Sequence, residues 1–154
     1  MDENGVLEFL GVGCLRPVVW LDETSGRLLR ERATNCGYIT ISVDARRMLS
    51  KSALLAELAE AMRFPEWFGN NWDALLDCLR DVSTLVGSDA VLLFIENAGA
   101  LEALPQEELA TFIGVVGDIA TSYLRVRGVR LRLCLVDGLG LLKSSIGVSE
   151  QYVL

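Results

Sequence analysis

The sequence has 154 residues, 51% apolar and 23% charged, and is therefore long and apolar enough to fold as one domain around its own core. It contains no histidine, which excludes histidine-based catalysis and histidine metal ligands. Its net charge of −7 disfavours direct binding to nucleic acid, because phosphates attract basic surfaces.

The charge is distributed unevenly along the chain. Residues 1–63 carry 9 acidic and 8 basic side chains, residues 64–118 carry 10 and 1, and residues 119–154 carry 2 and 5. The net charges of the three segments are therefore −1, −9 and +3. Because an acidic segment of this kind steers basic surfaces toward it, the sequence predicts a basic partner.

No pattern in the sequence indicates export or a membrane. The longest apolar run, residues 90–95, is far shorter than the roughly 20 residues of a spanning helix. The chain begins Met-Asp-Glu-Asn, which is unlike a signal peptide. The cysteines lie scattered without a CxxC pair, which favours reduced thiols. We therefore expect a cytoplasmic protein that has no metal and no cofactor.

Residues 1–36 are predicted to form short strands. Apolar residues cluster at 6–10, 17–21 and 27–33, and the polar stretch 22–26 has the composition of a hairpin connection. We therefore expect a β-rich N-terminal extension that packs on the rest of the chain.

Residues 37–137 alternate between strand and helix patterns, which predicts an α/β domain. Strands are expected at 38–43, 89–96 and 129–136, and the second of these is a continuous apolar run typical of a strand buried on both faces. With the helices between them, the order β-α-α-β-α-β predicts a small parallel sheet packed with helices. Residues 138–154 are assigned to a C-terminal tail.

Three helices are predicted between those strands. The first carries leucines at three- and four-residue spacing after an N-cap at Ser50 or Ser52, and it ends before Pro65. The second begins after Asn71, a favourable N-cap, and the third begins at Pro105. The apolar stripe of the second helix is formed by Trp72, Leu75 and Leu79.

The stretch 64–81, FPEWFGNNWDALLDCLRD, carries the most information about function. Asp73 and Asp77 are four residues apart and share one face of the predicted helix, although like charges at that spacing destabilise a helix by roughly 0.2–0.5 kcal/mol. Trp67 lies in the preceding loop, where Gly69 is free to adopt a positive φ. An exposed aromatic beside uncompensated carboxylates is typical of a binding face, and a solvated acidic surface is the alternative.

The same stretch resembles the barstar-like ribonuclease inhibitors. The family motif [LF]-P-E-[YW]-[YF]-G-x-N-x-D-A-L-x-D-C-L matches residues 64–79 without a gap. The predicted order of strands and helices between about residues 38 and 136 fits the same fold. The resemblance does not extend to residues 1–36 or to residues 138–154.

The resemblance implies that the chain plugs a nuclease active site, with helix carboxylates in place of substrate phosphates. Trp67 would pack over the cleft, Gly69 and Asn71 would shape the loop, and Asp73 and Asp77 would meet catalytic Arg and Lys groups. The expected partner is a basic nuclease toxin in a 1:1 complex. The residues expected to bind it are Trp67, Phe68, Gly69, Asn70, Asn71, Asp73, Leu76, Asp77 and Arg80.

The sequence departs from the family pattern at two places. Leu76 stands where the family has a tryptophan, so its contact with the partner should be smaller. The family also uses a glutamate on its last helix, whereas the corresponding stretch here, residues 119–123, contains no acidic side chain. The missing acidic side chain implies a target that differs in detail from the usual one.

Two other functions remain open. An enzyme could use Asp73 and Asp77 as an acid–base pair, but glycosidase carboxylates face each other across a cleft at about 5 Å or 6.5–9.5 Å, and one convex helix has no opposing wall. Two aspartates alone are also a poor Mg²⁺ or Ca²⁺ site. A binding module of the same fold for a non-ribonuclease partner is the stronger alternative, because of the extra segments and the missing acid.

Overall fold

Four parallel strands form the centre of the fold in the computed structural model, which describes residues 1–138. Their order in the sheet is β1-β4-β3-β2, and the chain crosses from one edge to the other between β1 and β2. The central strand β3 pairs Leu93 with Ile41 on one side and with Leu133 on the other. The strands are β1 (Val18–Leu21), β2 (Ile39–Asp44), β3 (Ala90–Glu96) and β4 (Arg130–Val136).

Helices cover both faces of the sheet. Short 3₁₀ turns follow β2 and β3, at Ala45–Arg47 and Ala98–Ala103. The α-helices of the described residues are α1 (Glu3–Leu10), α2 (Glu23–Asn35), α3 (Lys51–Ala61), α4 (Trp72–Arg80), α5 (Val82–Val86), α6 (Gln106–Thr121) and α7 (Tyr123–Val126).

The alternation of side chains along each strand divides the apolar residues between two cores. In β3, Val91, Leu93 and Ile95 face the larger core, which includes buried residues of α3, α4 and α6. Leu92 and Phe94 face the smaller core, which includes buried residues of α1 and α2. The helix α4 and the N-terminal helices therefore lie on opposite faces of the sheet.

The predictions for the central part of the chain are confirmed. The three expected strands are β2, β3 and β4, and all pair in parallel. Of the two candidate serines, Ser50 caps α3 by accepting a hydrogen bond from the backbone N–H of Ala53. Asn71 caps α4, and Pro105 immediately precedes α6. The mixed α/β fold with a small parallel sheet is therefore the one expected.

The predicted β-rich character of residues 1–36 is wrong. Only Val18–Leu21 is a strand, and the segments 6–10 and 27–33 lie in α1 and α2. The supposed hairpin connection at 22–26 is a helix start, because an Asp22 carboxylate oxygen accepts a hydrogen bond from the Ser25 backbone N–H at 2.7 Å. That hydrogen bond also lowers the pKa of Asp22 from its ordinary value.

The N-terminal segment contributes directly to the sheet. β1 pairs with β4 from Val18 beside Leu133 to Leu21 beside Val136, so it forms one edge of the sheet. The division of the chain into residues 1–36, residues 37–137 and a tail stays a prediction. The tail lies outside the described residues from position 139 onward.

A buried arginine attaches α1 to the sheet. Arg132 is 3% exposed, and its guanidinium donates hydrogen bonds to the carbonyl oxygens of Phe9 from Nε at 2.9 Å and Gly11 from Nη2 at 3.0 Å. The Tyr38 hydroxyl donates to the Leu10 carbonyl at 2.8 Å. These bonds satisfy carbonyl groups that the end of a helix leaves without partners.

The helical stretch Gln106–Val126, formed by α6 and α7, has the length and composition of a membrane span. Core helices of soluble proteins share these properties, so the finding is weak evidence for a membrane. In this fold the apolar residues of α6 pack into the larger core, among them Leu109, Phe112, Ile113 and Val116.

Candidate partner-binding face

The loop before α4 exposes a tryptophan to solvent. Trp67 is 73% exposed, whereas the neighbouring rings of Phe64 and Phe68 are partly buried and have centroids 5.1 Å apart. The Phe68 backbone N–H donates to the Pro65 carbonyl at 2.9 Å and closes the turn. A large aromatic side chain of this kind gains most from burial against a partner. Phe68 packs inward, so we expect it chiefly to support the loop.

Two neighbouring residues give the loop its shape. Asn70 has a φ of 52°, which asparagine tolerates better than most residues, and its side-chain Nδ2 donates to Ser52 Oγ of α3 at 3.2 Å. The expected positive φ therefore lies at Asn70, and the expectation for Gly69 is wrong. Gly69 instead leaves space for the Asn71 side chain, because a Cβ at position 69 would lie 3.2 Å from the Asn71 side-chain nitrogen.

Asn71 fixes where α4 begins. Its side-chain oxygen accepts a hydrogen bond from the Ala74 backbone N–H at 2.8 Å. Its Nδ2 donates to the Gly69 carbonyl at 3.2 Å, so the same residue joins the loop to the helix. The cap places Asp73 in the first turn, where the helix dipole stabilises a negative charge.

The outer surface of α4 carries both aspartates. Asp73, Leu76, Asp77 and Arg80 follow the i, i+3, i+4, i+7 spacing of one helix face, which we call the acidic face of α4. Asp73 is exposed, and the Asp77 side chain is 64% exposed. Leu76 is half-buried and packs against the larger core. This face is convex and open to a partner of large size.

An ion pair partly compensates one of the two carboxylates. Arg80 Nη1 lies 3.2 Å from Asp77 Oδ1, and the Arg80 guanidinium carbon lies 5.5 Å from the centroid of the Tyr123 ring. Exposed pairs of this kind typically stabilise a protein by about 0.2–1 kcal/mol. A partner cation can therefore replace Arg80 at Asp77 at little cost.

The buried side of α4 is held by α6. Trp72 Nε1 donates to Glu108 Oε2 at 3.0 Å, and the rings of Trp72 and Phe112 are stacked with centroids 6.5 Å apart. Leu75 and Leu79 are buried below them. The buried side of α4 is therefore fixed to α6 by polar and aromatic contacts, and its acidic face is left to solvent.

The end of this region differs from the family pattern. Residues 119–123, which lack the family's acidic side chain, span the end of α6 and the start of α7. Tyr123 lies there, and two arginines contact its ring. The guanidinium carbon of Arg80 lies 5.5 Å from the ring centroid, and that of Arg127 lies 3.5 Å from it. An aromatic ring with two cations thus lies where a negative charge is expected.

The cysteine of α4 is poorly placed to act as a nucleophile. Cys78 is 2% exposed, and burial raises the pKa of its thiol, with a further rise from the negative charges of Asp77 and Asp81. A buried neutral thiol is a poor nucleophile. Within residues 1–138, no three Cys, Asp or Glu side chains are grouped so as to hold a metal ion.

A helix-flanked parallel sheet that presents an exposed tryptophan loop and an acidic helix face defines a class of small α/β binding proteins. The family model described as Barstar (barnase inhibitor) matches residues 38–136, which include every residue of that face. The chain therefore belongs to the barstar family, whose members inhibit barnase-type ribonucleases. No curated protein sequence matches the chain.

A solved structure with a similar fold is a Walker-type ATPase of Pyrococcus abyssi. It superimposes with a TM-score of 0.56 and 17% sequence identity, and the match covers 91% of this chain and 45% of that chain. The likeness shows a shared sheet-and-helix architecture alone, and this chain spans less than half the length of that protein. The sequence also contains no G-x-x-x-x-G-K-[ST] motif for nucleotide phosphates.

Asn71→Ala is expected to lower the free energy of unfolding by about 1 kcal/mol, because the Ala74 N–H loses its side-chain acceptor. Asn71→Asp keeps an acceptor and should recover most of that loss. Urea unfolding of the two variants beside the wild type measures both effects. Equal stability of Asn71→Ala and wild type would show that the cap does not determine the start of α4.

Proposed function

We propose that this chain is an antitoxin or immunity protein that blocks the active site of a basic ribonuclease toxin in a 1:1 complex. The Trp67 loop covers the cleft, and Asp73 and Asp77 take the positions of substrate phosphates. The observation that carries the proposal is the juxtaposition of two exposed carboxylates and a 73% exposed tryptophan in a member of the barstar family.

Charge supports this assignment. Ribonuclease active sites must attract phosphates, so their surfaces are basic and are drawn to negative charge. Residues 64–118 have a net charge of −9, and the acidic face of α4 lies in that segment. Carboxylates accept paired hydrogen bonds from arginine much as phosphates do. The proposed toxin and its inhibitor would both act in the cytoplasm.

Shape supports inhibition over catalysis. The acidic face is the outer, convex side of one helix, on which Asp73, Asp77 and Arg80 are exposed to solvent. A convex face fills a cavity in a partner, whereas a catalyst surrounds its substrate. We therefore infer that the chain carries no hydrolytic activity of its own, and that it does not bind RNA directly.

One observation favours a second candidate, a partner that is not a ribonuclease. Arg80, Tyr123 and Arg127 form a cationic and aromatic surface at the end of the binding region where the family has an acidic residue. A partner that meets this surface needs an acidic or aromatic group there. A purely basic nuclease cleft would offer no such group.

An inhibition assay separates the two candidates. The full chain is added in increasing amounts to a purified basic ribonuclease of the barnase type, and to basic nucleases captured from the source cell. We expect RNA cleavage to fall linearly to zero at one equivalent, and the Asp73→Asn/Asp77→Asn double variant to lose this inhibition. Tight capture of a non-nuclease protein by the wild type but not by the double variant would instead support the second candidate.

Association with the ribonuclease is expected to be slowed by salt. Raising the ionic strength from about 0.05 to 0.5 M shortens the Debye length from roughly 14 to 4 Å and removes long-range steering. The association rate constant should therefore fall much more than the dissociation rate constant rises. Stopped-flow measurements across this range test the expectation. An association rate independent of salt would contradict the electrostatic role of Asp73 and Asp77.

A further inference from the structure

A cavity of about 170 Å³ lies at the end of the sheet where β4, an interior strand, begins. Three of its lining residues are arginines, and none is acidic, although the whole chain has a net charge of −7. No lining residue belongs to the Trp67 loop or to α4. The cavity is lined by Val12, Cys14, Ala120, Arg125, Gly128, Val129, Arg130 and Arg132.

The three arginines have no carboxylate partners among the described residues. The four ion pairs found within residues 1–138 include none of Arg125, Arg130 and Arg132. Arg132 is 3% exposed, and its acceptors are the carbonyl oxygens of Phe9, Gly11 and Leu131. Carbonyl dipoles offset part of its charge but leave a cation where water cannot solvate it, which is unfavourable unless an anion lies close.

Hydrogen-bond donors also remain available at this cavity. A guanidinium has five N–H groups, and it binds tetrahedral oxyanions through paired donors. Arg132 uses three of them in the bonds described, and Arg130 uses one, to the Leu10 carbonyl at 3.4 Å. The Arg125 side chain is exposed, and its guanidinium takes part in none of the ion pairs or side-chain hydrogen bonds found within residues 1–138. The cavity therefore combines positive charge with unused donors.

We propose that this cavity binds the phosphate group of a small soluble molecule. At about 30 Å³ for each water, its volume corresponds to about six waters, which suits one phosphate group. The forked donors of three arginines match the three oxygens of a phosphate monoester better than the two of a carboxylate. The site shares no residue with the proposed ribonuclease-binding face, so each can fail without the other.

Calorimetric titration of the full chain with inorganic phosphate, at constant ionic strength, tests the proposal. We expect saturable 1:1 binding in the millimolar range or tighter, and weaker binding of acetate. Arg125→Gln should weaken phosphate binding about tenfold, because a charged donor is lost. Arg47→Gln is the matched control. Arg47 is exposed and follows the end of β2, at the opposite end of the sheet, and its substitution removes the same charge.

Three outcomes would overturn the proposal. The first is an absence of saturable phosphate binding. The second is an equal weakening of phosphate binding by Arg125→Gln and Arg47→Gln, which would show that only the net charge of the protein matters. The third is binding to vesicles that contain phosphatidic acid, relative to phosphatidylcholine alone, without any response to inorganic phosphate. That result would make the arginines a lipid-binding surface. Thermal unfolding of both variants confirms that neither change affects folding.

Discussion

Asp77→Ala should weaken the complex with the target ribonuclease by about 3–5 kcal/mol, because a desolvated cation of the partner would lose its carboxylate. Couplings measured in the barnase–barstar complex of the same family contribute to that range, so the magnitude is taken over from a relative. Arg80 adds to the effect, since its guanidinium would remain beside the partner's cations without Asp77 between them. Calorimetric or kinetic measurement of the dissociation constant gives the value.

The free protein should hardly respond to the same change. Asp77 is 64% exposed, and its pair with Arg80 is of the weak surface kind. Loss of that pair is offset by the better helix propensity of alanine and by relief of the repulsion from Asp73. The unfolding free energy is therefore expected to stay within about 0.5 kcal/mol of the wild-type value.

Glu31→Ala is the matched control for charge. Glu31 is exposed on α2, which packs on the opposite face of the sheet from α4. Glu31→Ala changes the net charge by the same amount as Asp77→Ala. It should therefore slow association slightly, through weaker long-range steering, and leave the contacts of the complex unchanged. An Asp77→Ala variant that unfolds readily but binds as tightly as wild type would refute the inhibitor role of this helix.

The position of the acidic residues on one helix face could be predicted because its determinants are local, whereas their role in binding stays a prediction. Asn71 is a strong N-cap in sequence, and the spacing of Asp73 and Asp77 fixes their common helix face once the start is known. The apolar run of β3 likewise predicts a strand covered on both faces. For these three features the local sequence pattern and the tertiary packing favour the same structure.

The sequence signals of the N-terminal segment are ambiguous between turn and helix. A glycine in a polar stretch such as 22–26 is typical of a turn, but in α2 a Cβ at Gly26 would lie 3.2 Å from Val136 Cγ2. The glycine thus permits close packing of helix on strand, which no local rule reveals. Asp2 and Asp22 are the N-caps of α1 and α2, and they were the available signals for helices in this segment.

Long-range contacts account for the other differences. The positive φ at Asn70 accompanies its bond to Ser52 of α3, a residue eighteen positions earlier. Arg132 alternates with apolar residues in β4, a pattern that usually places an arginine in solvent. The structure buries it because α1 packs over that face and supplies carbonyl acceptors. The spacing of residues in the sequence does not predict that Asn70 bonds to Ser52 or that Arg132 bonds to the end of α1.

Leu75→Ala should destabilise the fold by about 2–5 kcal/mol, the reverse of the behaviour expected for Asp77→Ala. Leu75 is fully buried in the larger core, and the contact of α4 with α6 leaves little room for the structure to collapse around the lost atoms. For a chain of this size each kcal/mol lowers the midpoint of thermal unfolding by about 2–4 °C. Urea and thermal unfolding should agree on the loss.

Leu76→Ala is the matched comparison, because it removes the same atoms one residue further along. Leu76 is half-buried on the acidic face, so its truncation should cost clearly less stability but should weaken binding directly through lost contact area. Leu75→Ala should leave the dissociation rate of the complex unchanged at temperatures where the variant is fully folded, since its side chain reaches no partner. If Leu75→Ala speeds dissociation there as much as Asp77→Ala does, the separation of α4 into a structural side and a binding side is wrong.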